Sequence, residues 1–358
     1  MSEFQNLKSK LPDHITQADV QKIMRAILSE NAPWDWFARA RIPFPFAVNI
    51  LRELQANGYI QFNGDKTELT ARGQALAHEV GAYAVPTLTC PTCGTSGSDY
   101  SALTNEYKTF LEIFNASPTS QNQDLNQGEM TPESTFRRVA WMLTLGDITG
   151  KRIAHMGDDD LTSIALALTQ QPKEVVVFEI DPTLCSYIAD VARARNLPIK
   201  VVQQDLTKAL PKEYLGTFDT FVCDPPETMD GLLLFVEKGL TLLKPGDGHA
   251  GYFGATVIEG SLNKWKHWQK KLMCNYDIVY THIFPAFTLY VSWHDEMPLA
   301  DIPALATVAG REWYRFAWNR IETMSTFRPA PDFETEMQRV FYYDVESYYE
   351  AFPQTRTQ

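Results

Sequence analysis

The chain is poor in cysteine, has no long apolar run and carries a deficit of positive charge. Its five cysteines in 358 residues are too few, and odd in number, for a disulfide framework, which points to a reducing cytoplasm. No run of about 18 apolar residues occurs, so no membrane span is expected. The opening MSEFQNLKSKLPDHITQADV has no apolar core segment, so no secretory signal is expected either. Lys and Arg number 32 against 44 Asp and Glu, a net charge of −12. That balance repels nucleic acid at long range and suits cationic ligands wherever the acids gather.

A chain of this length is expected to hold two or three domains. Val20, Ile23, Met24 and Ile27 have helical spacing, and Phe46–Asn57 reads as a second helix ended by Gly58. YIQF and KTEL around Asn63-Gly64 then read as a hairpin. Helices followed by a small hairpin resemble a winged helix over residues 1–85. That region holds nine Lys/Arg and nine Asp/Glu. A DNA reader carries a basic surplus, so a partner-binding or dimerisation module is favoured over DNA binding.

Residues 86–135 form a second segment. Cys90 and Cys93 have zinc-knuckle spacing, but no second C-x-x-C completes four ligands. The pair is read as a metal-free turn, with a site shared by two chains as the alternative. Residues 115–132 are polar and read as a linker or active-site loop, and a helix opens near Pro132.

From 151 onward strands and helices alternate. Strands are expected at 151–156, 174–180, 199–204, 218–223, 250–257, 277–283 and 288–294, with helices at 161–170, 183–195, 228–243 and 261–272. The alternation predicts an α/β domain over 136–299, with a parallel sheet covered on both faces. The last two strands are expected to close it as an antiparallel hairpin, which resembles the class I methyltransferase-like Rossmann fold. Residues 300–358 show no clear period and are read as a tail that could act as a lid.

Ligands of such sheets sit beyond the carboxyl ends of the strands. The first strand ends not in a glycine-rich turn but in Gly157-Asp158-Asp159-Asp160. The second ends at Glu179 and Asp181, where an acid can accept ribose hydroxyls. The third ends at Asp205, and the fourth at DPPET, with Asp224 and Glu227. Each acid has a plainer reading: Asp160 as a helix cap, Glu179 and Asp181 as helix-start acids, Asp224 as a turn cap. Four such ends at one sheet edge are harder to dismiss together. DPPET resembles the D-P-P-Y motif of amino-methyltransferases, with Glu227 where the aromatic would stand. A flat base loses its stacking platform, and a cation gains a partner.

S-adenosylmethionine carries a carboxylate that three aspartates would oppose. One like-charge contact at about 4 Å costs roughly 4 kcal/mol at an effective dielectric of about 20. Without that carboxylate the ligand is a dication, which the loop attracts. Decarboxylated S-adenosylmethionine fits as a co-substrate, with no permanently bound cofactor and no metal. Its sulfonium is a good leaving group for an attacking amine, and an aspartate can take the amine's proton.

GDDD at 157–160, DPPET at 224–228, NQGEMTPEST at 126–135 and the N-terminal helices with their hairpin resemble the branched-chain polyamine synthases, or N(4)-bis(aminopropyl)spermidine synthases. The resemblance covers most of residues 15–295. It implies transfer of aminopropyl groups to the internal secondary amine of spermidine or a related linear polyamine. It places Asp158, Asp159 and Asp160 at the reacting amines, Asp159 nearest. It gives Gly157, Glu179, Asp181 and Asp205 to the nucleoside, Asp224 and Glu227 to the acceptor amine, and Gln127 and Thr131 to the entrance. It also implies a cytoplasmic homodimer acting on small polyamines, with neither membrane nor nucleic acid as partner. Two other readings stay open: an S-adenosylmethionine-dependent amino-methyltransferase, and a winged-helix regulator.

Overall fold

A computed structural model describes residues 2–13, 15–29, 36, 40, 44–63, 66–85, 99–118, 128, 130–226, 228–255, 262–291 and 313–324. They fall into two compact units, one within residues 1–87 and one within 88–324.

The first unit runs through helices Glu3–Lys8, Gln17–Ser29 and Phe44–Ala56, then strands β1 (Ile60–Asn63) and β2 (Lys66–Leu69), then helix Ala71–Glu79. Val20, Ile23, Met24 and Ile27 are all buried, as their spacing requires, and pack with Ile50, Leu54 and Leu76. Gly58 turns the chain out of the helix Phe44–Ala56 at φ +68°, a conformation that costs other residues about 1–2 kcal/mol. The hairpin is antiparallel, with Ile60 opposite Leu69 and Asn63 opposite Lys66. The final helix is tied back by Arg72, which bonds Glu3 at 2.7 Å. Cys90 and Cys93 lie outside the described residues, and Cys185, Cys223 and Cys274 are free thiols.

The second unit is a seven-stranded sheet whose strands lie in the order 199–203, 174–179, 152–156, 220–223, 250–255, 313–323 and 278–291. β3 (Arg152–Met156), β4 (Glu174–Glu179), β5 (Ile199–Gln203), β6 (Thr220–Cys223) and β7 (Ala250–Ala255) are parallel neighbours. β8 (Ile278–Val291) and β9 (Trp313–Thr323) run antiparallel. Helices Pro132–Leu145, Thr162–Leu168 and Pro182–Arg195 lie with one apolar cluster, and Met229–Leu242 with the other. Successive strand residues alternate between the clusters, Ile153 in the first and Ala154 in the second. Burial on both faces explains why these strands read as continuous apolar runs.

The closing strands differ from expectation. The two strands expected at 277–283 and 288–294 are one strand, β8, with register shifts between Tyr280 and His282 and between Phe284 and Thr288. Pro285 falls in the second shift, and proline cannot donate to a ladder, so the sequence looked broken there. The antiparallel partner is β9, within the segment read as a tail. β9 is interior, and it buries Asn319, Arg320 and Glu322 beside Trp318 and Ile321. Polar residues at buried positions hide the apolar alternation that marks a strand. The helix Thr104–Asn115 was also not anticipated.

Arg320 organises a buried ionic cluster. Its Nε and Nη2 donate to Asp147 at 2.7 and 3.1 Å, and its Nη1 donates to Glu322 at 2.8 Å and to Thr281 at 2.8 Å. The Tyr252 hydroxyl also donates to Asp147. The two acids outweigh burial and hold the guanidinium's pKa well above its ordinary value. Asp147 follows the helix Pro132–Leu145, so the cluster pins that helix's exit to the sheet.

Candidate active site

The acidic loop is anchored before it meets any ligand. Gly157 turns at φ +68° and its N–H donates to the Phe178 carbonyl at 2.9 Å. The N–H groups of Asp158 and Asp181 donate to the two carboxylate oxygens of Glu179, each at 2.8 Å. Glu179 therefore braces the carboxyl ends of β3 and β4 together. Leu161, buried and at φ +53°, closes the loop in a conformation strained for a side chain of that shape.

The three aspartates have separate tasks. Asp158, rather than Asp160, caps the helix Thr162–Leu168. Its Oδ1 accepts the Ser163 N–H at 3.0 Å and its Oδ2 the Ser163 hydroxyl. Asp160 Oδ1 accepts the Met130 N–H at 2.9 Å, and Asp159 Oδ2 the Gly128 N–H at 3.0 Å. The segment read as an active-site loop thus reaches the acidic turn through its backbone. Asp158 and Asp160 are buried, whereas Asp159 keeps partial exposure.

Burial penalises the charged form of each carboxylate. It pushes Asp158 up to about 7, against the lowering effect of the Ser163 bonds. Asp159 is raised well above the usual carboxylate range, first by burial and then by the charges of Asp160, Asp224 and Glu179. Burial raises Glu179 as well. His155, on β3, is buried with Nδ1 3.5 Å from Asp158 Oδ1. Burial lowers its pKa to about 4, so near neutral pH the ring is uncharged.

Asp224, at the end of β6, meets Arg138. The guanidinium Nη1 lies 2.6 Å from Asp224 Oδ2, and Nε donates to the Thr288 hydroxyl at 3.0 Å. The same guanidinium stacks 3.9 Å over the Trp318 ring. Gly254 on β7 admits the carboxylate, because a Cβ there would stand 2.1 Å from Asp224 Oδ1.

Other expected site residues have local tasks. Asp181 caps the helix Pro182–Arg195 by accepting the Thr183 N–H at 2.7 Å. Asp205 accepts the N–H and hydroxyl of Thr207 at 2.8 and 2.7 Å, bonds that hold its pKa below the usual range. Thr131 caps the helix Pro132–Leu145 through the Ser134 N–H at 3.2 Å. Gln127 and Glu227 lie outside the described residues. Sequence reasoning passed over Arg138, Thr288, Gly254 and His155. Arg138 left little signal, because it follows Arg137 and only the burial of one of the two adjacent arginines sets it apart.

Asp158, Asp159, Asp160, Glu179 and Asp224 gather at one sheet edge, with Arg138 as the guanidinium paired among them. Burial, joined at Asp159 by the charges of its neighbours, raises Asp158, Asp159 and Glu179 above the ordinary carboxylate range. An ammonium or sulfonium group entering the loop favours their ionised forms and lowers those values. The arrangement therefore suits cations and lets a carboxylate accept a proton as a cation binds. Among the described residues no group of three or more His, Cys, Asp or Glu is placed to hold a metal. Among them, too, no helix is long and apolar enough to cross a membrane.

Comparison with known proteins gives the same direction. A family model described as the branched-chain polyamine synthase A C-terminal domain matches residues 105–349. An N(4)-bis(aminopropyl)spermidine synthase of Methanocaldococcus jannaschii is 34% identical over 346 residues, 95% of this chain and 96% of that protein. One of Thermococcus kodakarensis is 32% identical over 349 residues, 96% of this chain and 98% of that protein. The crystal structure of the branched-chain polyamine synthase of Thermus thermophilus, in complex with N4-aminopropylspermidine and 5'-methylthioadenosine, superposes with a TM-score of 0.58 at 34% identity. That match covers 86% of this chain and 87% of the other. The GDDD turn, the DPP strand end and this likeness along nearly the whole length agree: the chain belongs to the branched-chain polyamine synthase family.

Proposed function

We propose that this protein is an N(4)-bis(aminopropyl)spermidine synthase. It moves the aminopropyl group of decarboxylated S-adenosylmethionine to the internal secondary amine of spermidine or a related linear polyamine. The observation that carries the reading is the acidic turn: three consecutive aspartates at a strand end, of which Asp158 and Asp159 are raised in pKa, with Glu179 bonded to the turn's backbone. A donor bearing a carboxylate would meet like charge there, whereas a decarboxylated donor and a polyamine both arrive as cations.

The chemistry follows from the placement. The acceptor nitrogen's lone pair attacks the methylene next to the sulfonium, in line with the breaking C–S bond. A C–N bond forms, and the C–S electron pair stays on sulfur, leaving neutral methylthioadenosine. The proton that the secondary amine carries goes to a carboxylate. Asp159 takes this role, because it keeps partial surface exposure and has a pKa raised first by burial and then by three neighbouring acids. Asp158 and Asp160 hold the loop and add negative potential, while Asp224 and Glu227 bind the acceptor chain. Glu179, with Asp181 and Asp205 beside it, serves the nucleoside half, and Gln127 and Thr131 line the entrance. The N-terminal unit is read as a winged-helix-like partner module of a homodimer.

The test is incubation with decarboxylated S-adenosylmethionine and spermidine, followed by assay of methylthioadenosine and mass spectrometry of the amine. A mass gain of one or more aminopropyl groups at the internal nitrogen is expected. No methylthioadenosine over a range of temperature and pH, or tighter calorimetric binding of S-adenosylmethionine than of its decarboxylated form, would overturn the reading.

A further inference from the structure

We infer that Arg138 is a positioning residue for the acceptor amine: it fixes the Asp224 carboxylate so that one oxygen is committed to the protein and the other is set against β7. The inference rests on the proposed role of Asp224 in binding the acceptor.

Four elements converge on this contact. Arg138 comes from the helix Pro132–Leu145, Asp224 from the end of β6, Thr288 from β8 and Trp318 from β9. The side chain of Arg138 is 2% exposed, so its charge is not shared with bulk water. Its planar fork is held in one orientation by the Trp318 face at 3.9 Å and by the Thr288 hydroxyl at 3.0 Å. In that orientation Nη1 reaches Asp224 Oδ2 at 2.6 Å. Asp224 itself is 19% exposed, so its carboxylate is not sealed from a ligand. Its Oδ1 occupies space left by the missing side chain of Gly254.

A carboxylate on a turn can otherwise rotate about two bonds. Held as it is, it offers an ammonium group a fixed point. A fixed acceptor-binding point sets how far along the polyamine chain the reacting nitrogen falls. Lysine cannot reproduce this arrangement, because it is a point charge without a fork or a stacking plane.

The assays use the full-length protein, with wild type measured first. Arg138→Lys and Arg138→Gln are expected to lower kcat/KM for the acceptor by about a hundredfold, the scale of a misplaced reacting group. Calorimetric affinity for methylthioadenosine is expected to stay within a few-fold, because the nucleoside half is untouched. Thr288→Val removes one tether of the fork and should lower the same parameter by a smaller factor. Gly254→Ala leaves Arg138 in place but drives a methyl into Asp224 Oδ1, and should reproduce the acceptor-side loss. The inference is overturned if Arg138→Lys keeps wild-type kcat/KM for the acceptor. It is equally overturned if methylthioadenosine affinity falls in step with acceptor use in soluble Thr288→Val and Gly254→Ala. Should Arg138 variants not fold, those two variants decide by the same criteria. A wild type that releases no methylthioadenosine refutes instead the proposed function, independently of the variants.

Discussion

Replacing Asp158 with asparagine isolates the cost of burying an acid at the head of the acidic loop. Burial lifts the carboxyl from 3.8 to about 7. Between those values the folded protein holds a proton that the unfolded chain has released. Stability from this group is therefore lost as pH rises from about 4 to 7, and the loss levels off above. At about 1.4 kcal/mol per unit, the difference between pH 5 and pH 8 comes to about 3 kcal/mol. His155 works in the opposite sense. Its value falls from 6.5 to about 4, so its unfavourable contribution at low pH is relieved as pH rises through that window. Wild type alone therefore shows a blunted profile, and the variant is needed. Asparagine keeps an oxygen for the Ser163 N–H but cannot ionise. Urea unfolding, followed by tryptophan fluorescence at pH 5 and pH 8, should show Asp158→Asn gaining on wild type by about 3 kcal/mol at the higher pH. A change of less than about 1 kcal/mol in the relative stabilities would refute a raised Asp158.

Three further substitutions probe other parts of the molecule. Asp159→Asn should lower kcat by about a hundredfold or more, the usual scale of a general base, with methylthioadenosine affinity nearly unchanged; wild-type turnover would remove Asp159 from its role. Gly157→Ala has room for its methyl, 3.5 Å from Phe235, so only the φ of +68° opposes it. A loss of about 1 kcal/mol in urea unfolding is expected, and a loss several times larger would mean that the loop depends on more than backbone conformation. Arg320→Met strands two buried acids and should cost about 3 kcal/mol or more; near-wild-type unfolding would show that water reaches Asp147 and Glu322.

The site was more legible in the sequence than the sheet that carries it. The GDDD turn stood out because a strand and a helix flank it, and because carboxylates replace the usual glycines. The division of labour among its aspartates did not. Asp158 precedes the helix by several residues, and only the strained Leu161 turn brings its side chain back over Ser163. Asp181 and Asp205 showed the reverse difficulty: their local sequences allow both a capping and a ligand-binding reading, and the capping bonds are present. Arg138 pairs with Asp224 across 86 residues and bonds Thr288 across 150, separations that no local pattern encodes. β8 was split by its proline, and β9 was hidden by the buried charges that make it an interior strand.

The position of β9 also constrains the order in which the molecule can assemble. β7 pairs with β9 through Phe253 opposite Asn319, and Arg320 reaches back 173 residues to Asp147. During synthesis both flanking strands leave the ribosome before the strand that belongs between them. Until residues 313–323 emerge, β7 has one bare edge and Asp147 has no guanidinium. Contacts so distant in sequence form slowly, and an unpaired apolar edge invites association with other chains. The nascent protein thus passes through a stage in which its acidic turn is already fully translated while the far side of its sheet stands open.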